Sequence, residues 1–310
     1  MTWRMHLGGL GVSRPERPTR RRPTAPPELL VVGAALSVQV SAAMATQLIT
    51  VFGAPTVVAM RAVFSALMLL PFRPPRLAAL HAPGSGLRWA LLVGLALAAM
   101  NTAMYVSIDR IPLAVAVTIE FWGPLALAIL GRRNARDLLW VGLAAAGIFA
   151  LSGGRLISDD ALGVVAAFIA GGLWALYIVG TAHLAEAWPD GGGLTLALIV
   201  ASVVVVPLAI LSGGLGELLV TPGAIIAVIG VALFSTAIPY TLDLSILRRM
   251  ATSTFGVLMS MDPAIAAIVG FLLLGQTLTG PEVLGIAAVA IASAGASRSA
   301  RRVPSAPSGA

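Results

Sequence analysis

The chain has 310 residues, 58% of them hydrophobic and only 11% charged, with a mean hydropathy of +0.95. Soluble domains carry about 25% charged residues, so this composition excludes an ordinary soluble protein and indicates a polytopic membrane protein. The formal charge of +7 rests on arginine alone among the basic residues, and most arginines lie between apolar runs. That charge therefore reports membrane topology and not a nucleic-acid partner.

Residues 1–28 are rich in arginine and proline and hold too little apolar surface to fold, which predicts a disordered cytoplasmic tail. Ala43-Met44-Ala45 has the small-x-small form of a signal-peptidase site. The apolar run that contains it has a counterpart later in the chain, so it is read as a retained span. With about 20 apolar residues per crossing, ten spans are expected, at 29–50, 55–72, 87–107, 111–130, 137–152, 161–181, 193–212, 223–245, 250–274 and 281–297. Residues 298–310 form a second disordered tail. With both termini cytoplasmic, 17 of the 20 arginines fall on the inner side. This bias fixes the expected orientation and implies the inner (cytoplasmic) membrane.

The two halves repeat. Leu29, Val31, Val32 and Ala34 match Leu162, Val164, Val165 and Ala167; Arg110 and Pro124 match Arg249 and Pro263; Gly142, Ala144 and Ala145 match Gly285, Ala287 and Ala288. The offset rises from 133 to 143 along the chain, as a duplication with small insertions produces. Five spans per copy is an odd number, so residues 29–152 and 161–297 are expected to cross in opposite senses. The fold class is thus all-α, ten transmembrane helices in two inverted five-helix repeats. Inverted repeats with prolines at corresponding positions, here Pro124 and Pro263 as helix breaks, point to a secondary transporter and its site.

Four charged residues fall inside expected spans: Arg61, Glu120, Asp243 and Asp262. An ionisable group at that depth normally faces a cavity or a partner. Pro124 has no N–H, so the carbonyl of Glu120 loses its helical donor, and one turn offers an acid together with a free acceptor. Glu120 and Asp262 sit about 60° apart on equivalent helices relative to their prolines. A clamp for a zwitterion follows: Arg61 takes a carboxylate in a forked contact, and Glu120 or Asp262 takes an ammonium group or carries a proton. The alternative for Arg61 and Glu120 is a fixed ion pair joining two spans. Asp243 lies near the cytoplasmic end of its span, where Arg248 and Arg249 screen it; a coupling role is the other reading. Asn101, Tyr105, Gln39, Tyr240, Ser260 and Trp174 are candidate cavity-lining groups or interhelical hydrogen-bonding groups. Trp122 is expected to pack over the substrate, Trp89, Trp140 and Trp188 to form an interfacial belt, and Gly142, Gly147, Gly285 and Gly295 to make close helix contacts.

The only histidines, His6, His81 and His183, fall in the tail and loops, and cysteine is absent. Neither a Ser-His dyad nor a His or Cys metal site is expected at membrane depth, so no metal, cofactor or enzymatic activity is assigned. A non-transporting sensor or scaffold leaves the buried charges and paired prolines without a purpose.

Met100-Asn101, Tyr105-Val106-Ser107-Ile108, Glu120-Phe121-Trp122-Gly123-Pro124-Leu125, Ser235-Thr236-Ala237-Ile238-Pro239-Tyr240 and the stretch from Thr254 through Asp262-Pro263-Ala264 resemble the drug/metabolite transporter superfamily. Within it they resemble the EamA-type threonine/homoserine exporters. That resemblance implies two inverted five-helix halves around a central cavity and export of small amino acids driven by protons. On the reading of the buried polar residues above, the expected substrate site comprises Arg61, Glu120, Asn101, Tyr105, Trp122, Tyr240 and Asp262, with Glu120, Asp262 and Asp243 as expected proton carriers. Asp262 and Trp122 depart from the family pattern, an aspartate for a glutamate and a bulky for a smaller residue. A drug or other metabolite exporter of the same superfamily is the runner-up.

Overall fold

A computed structural model of the chain describes residues 27–75, 86–129, 135–151, 160–239 and 261–300. In chain order the helices are α1 (Pro27–Phe52), α2 (Ala54–Leu69), α3 (Leu87–Ile108), α4 (Leu113–Glu120), α5 (Trp122–Ile129), α6 (Ala135–Leu151), α7 (Ala161–Ala187), α8 (Gly192–Ser212), α9 (Gly214–Val220) and α10 (Pro222–Ala232). A π-turn, Leu233–Ala237, follows α10, and α11 (Asp262–Leu274) and α12 (Gly280–Ala300) complete the described helices. Among the described residues α1, α3, α7 and α8 are long and apolar enough to cross a membrane, and α9 with α10 forms a fifth span if the 102° bend between them is one break. Five of the ten expected spans correspond to shorter apolar helices. In the expected span at 111–130 the helical bonding is interrupted at a single residue, Phe121, which divides α4 from α5, and residues 214–220, read as loop, are helical.

Local chemistry sets the junctions. Gly53 has φ 78°, a left-handed value that a side chain resists, and Pro55 in the first turn of α2 has a preset φ and no N–H to leave unpaired. α1 and α2 are thereby joined by a single residue. Pro263 likewise sits in the first turn of α11. α11 ends at Gly275, φ 64°, and this turn brings Gln276 back over the helix. Gln276 N donates to Gly270 O at 3.1 Å, and its side-chain Oε1 accepts from Leu113 N, the first residue of α4, at 3.0 Å. Pro112 offers no side-chain cap to α4, so Gln276 supplies one from 163 residues away.

The core joins the halves. α3 packs against α7 and α8, α2 against α8, α1 against α10 and α11, and α4 against α7 and α11. Leu113, Ile119, Val57, Val93, Val205 and Val228 are fully enclosed. Outward, large apolar side chains such as Leu95, Val203, Leu211, Phe271 and Leu284 are more than half exposed, the surface that a hydrocarbon solvent favours and water does not. α6 and α12 pair beside this bundle around a small separate cluster of Leu125, Ala144 and Ala292.

Three expectations change. A Cβ on Gly147 would meet Gly285 O at 2.8 Å and one on Gly295 would meet the Trp140 ring at 2.5 Å, so these glycines make close contacts, but Gly142 faces open space. Trp188 is only 4% exposed and packs over Gly86 and Gly193, so it belongs to the core and not to an interfacial belt. His183 lies on α7, which extends six residues beyond its expected end, and stacks on Trp89 with ring centroids 4.3 Å apart.

Candidate functional site

The π-turn is where the site begins. Its wider winding replaces the usual bonding, with Ile238 N donating to Leu233 O. Serines on α1 attend to nearby carbonyls: Ser37 Oγ donates to Phe234 O (2.6 Å) and Ser41 Oγ to Val231 O (2.9 Å). This anchorage turns Ser235 towards α2, where Arg61 Nε donates to Ser235 Oγ at 2.9 Å. Arg61 Nη1 donates to Asn101 Oδ1, and Asn101 Nδ2 donates to Leu97 O one turn back on α3. The Arg61 guanidinium also lies 5.7 Å from the centre of the Tyr105 ring, within cation–π range.

Arg61 is therefore held by neutral groups. Among the described residues it makes no ion pair, so the Arg61–Glu120 bridge weighed from sequence does not form, and Nη2 makes no hydrogen bond. One cavity of ≈ 270 Å³ is lined by Arg61, Asn101, Tyr105, Glu120 and Asp262 together with Gln39, Trp174, Tyr177 and Pro239. Glu120 ends α4 and Asp262 begins α11, and both Asp262 and Arg61 act electrostatically on Glu120. Asp262 is 6% exposed at a helix N-terminus, where the peptide dipoles favour an acid.

The break between α4 and α5 has a different role from the one expected. The carbonyl of Glu120 lies against Gly171 of α7, so close that a Cβ on Gly171 would meet it at 2.5 Å, and a Cβ on Gly123 would overlap the Gly171 carbonyl. The acceptor freed by Pro124 is thus packed against Gly171 of α7. Trp122 follows it: Nε1 donates to Phe168 O at 2.9 Å, and the indole is absent from the cavity lining. The aromatic wall is instead Trp174, with Phe121 packed edge-on against it at 5.5 Å. Tyr240, Asp243 and Ser260 lie outside the described residues. Sequence reasoning misses Ser235 as the partner of Arg61. Its signal is a run of two hydroxyls, Ser235-Thr236, in an apolar span, facing Ser37 and Ser41 spaced one turn apart on α1.

Comparisons with known proteins agree on one family. The EamA-like transporter family matches residues 161–298. The threonine/homoserine exporter RhtA of Salmonella typhimurium (strain LT2) is 38% identical over 291 residues, covering 92% of this chain and 96% of the exporter. The threonine/homoserine exporter RhtA of Escherichia coli (strain K12) is 37% identical over 288 residues, covering 91% and 95%. One solved crystal structure, 19% identical, shares the fold with a TM-score of 0.54 over 90% of this chain and 99% of its own. An all-helical chain with a charged cavity between its halves, aligned almost end to end with these exporters, belongs to the EamA-like transporter family of the drug/metabolite transporter superfamily.

Proposed function

We propose that the protein is a secondary transporter that exports small amino acids of the threonine/homoserine type against protons. The observation that carries this reading is the meeting of one cation and two acids, Arg61, Glu120 and Asp262, at one cavity between apolar helices. A zwitterion brings one charge of each sign, which leaves one acid over for a proton. Arg61, with Nη2 unengaged among the described residues, takes the carboxylate; Glu120 or Asp262 takes the ammonium group, and the other carries the proton. At ≈ 270 Å³ the cavity has room for a small amino acid. The close relatives are named threonine/homoserine exporters, which supports the same substrate class here.

The architecture that goes with this reading is two inverted five-helix repeats, 29–152 and 161–297, ten crossings of the inner membrane and both termini cytoplasmic. Alternating access would then swing the halves about the cavity, with Asn101 and Tyr105 holding Arg61 in place. Tyr240 and Asp243 belong to the proposed pathway through their sequence positions alone.

The test is accumulation of labelled homoserine in inside-out membrane vesicles, with and without an imposed proton gradient, for the native protein and Glu120→Gln. Gradient-driven uptake that disappears in the variant supports the proposal. No uptake by inserted native protein removes homoserine and moves the assignment to another metabolite.

A further inference from the structure

The charged groups of the cavity answer a carboxylate and an ammonium group, which every amino acid carries, so they do not choose among amino acids. Something else must read the side chain. Gln39, on α1, lines the same cavity, is 3% exposed, and has its Oε1 buried with no hydrogen-bond partner. Its neighbours behave differently. Ser37 and Ser41, two residues to either side, spend their hydroxyls on Phe234 O and Val231 O, whereas the Gln39 side-chain oxygen has no such partner among the described residues. A buried amide left unpaired is costly and uncommon, and calls for a ligand or a functional reason.

Met100, Met104 and Trp174 line the same cavity with side chains that offer contact area and little hydrogen bonding. An amide there has one donor end and one acceptor end, and a hydroxyl both donates and accepts, so it pairs with whichever end it meets. A methyl group of the same size pairs with neither.

We propose that Gln39 is the specificity residue that reads the side-chain hydroxyl of the transported amino acid. This rests on the reading that the cavity carries small amino acids, and it adds the group that separates hydroxylated from apolar members of that class.

The experiment uses the purified full chain in proteoliposomes and two substrate pairs that exchange a hydroxyl for a methyl at nearly constant size: threonine against valine, and homoserine against norvaline. The native protein is expected to prefer the hydroxylated member of each pair. Gln39→Met, close in length and without polar ends, is expected to lower both preferences about tenfold, the size of one hydrogen bond lost, while valine and norvaline flux persists. Unchanged ratios in that variant overturn the proposal. So does equal loss of all four substrates from correctly inserted protein, which makes the amide structural. Gln39→Leu is measured alongside; failure of both variants to insert likewise makes the amide structural and overturns the proposal. A native protein that moves the amino acids without a hydroxyl preference overturns the role of Gln39 and leaves amino-acid export standing. A native protein that moves none of the four refutes amino-acid export itself.

Discussion

The wall of the cavity and the seam between α6 and α12 draw on the same apolar residues and use them in opposite ways. Around the cavity the chain is interrupted: α4 stops at Glu120, α10 widens into a π-turn at Leu233–Ala237, and α11 begins at Asp262. Those interruptions carry Glu120, Ser235 and Asp262 to the cavity wall. The seam has no such interruption in its described helices and gains its closeness from Gly147 and Gly295, whose missing side chains admit Gly285 and Trp140. Irregular backbone in a membrane is tolerated where protein or a cavity covers it, so it concentrates where function needs polar groups; elsewhere small residues and dispersion suffice.

Four substitutions and one control break or sharpen this contrast. Gly123→Ala has the largest expected effect, because its methyl group would overlap the Gly171 backbone and push α5 off α7. A loss of about 3 kcal/mol is expected, read as a lower unfolding temperature in detergent. Gly142→Ala, with open space around it, is the control and should stay within about 0.5 kcal/mol. Arg61→Lys should leave folding nearly intact but lower transport roughly 30-fold, since an ammonium cannot reproduce the fork to Ser235 and Asn101 while holding a carboxylate. Wild-type flux in Arg61→Lys would remove the forked anchor. Gly295→Ala at the seam should do the reverse. Its methyl group presses on the Trp140 ring, costing about 1 to 2 kcal/mol, and flux per inserted molecule should hold. If flux falls in step with Arg61→Lys, the seam is not a bystander. Asp160→Ala is the smallest. Asp160 caps α7 by accepting from Gly163 N at 3.0 Å and meets Arg110 at 3.5 Å on a half-exposed surface. About 1 kcal/mol is expected, mostly from the cap and little of it sensitive to salt.

What can be read from the sequence divides along the same line. Arg61, Glu120 and Asp262 stand out because a charge in an apolar run is conspicuous without any geometry, and the structure brings all three to one cavity. Trp122 is not legible in this way, because a residue next to Glu120 can lie on either side of the helix, and Phe168 and Gly171 on another helix make the choice. Pro124 is legible, because its missing N–H leaves Glu120 O without a helical donor one turn earlier, and the interruption falls beside that residue, at Phe121. Trp188 reads as interfacial because it ends an apolar run, but Gly86 and Gly193 leave a slot that its ring fills. The bond from Gln276 to Leu113 has no local signal at all, since its two ends belong to different halves.

That last bond sets the mechanics of the acids. α4 runs from Leu113 to Glu120 and α11 from Asp262 towards Gln276, so the two are fastened at one end and carry their carboxyl groups at the other. They are placed like the legs of a compass with Gln276 at the pivot. The α4 leg is about 12 Å long at 1.5 Å per residue, so a 10° change in the angle between the legs moves Glu120 by about 2 Å relative to Asp262. A small rotation at the pivot would therefore suffice to change the spacing of the two acids along the cavity wall.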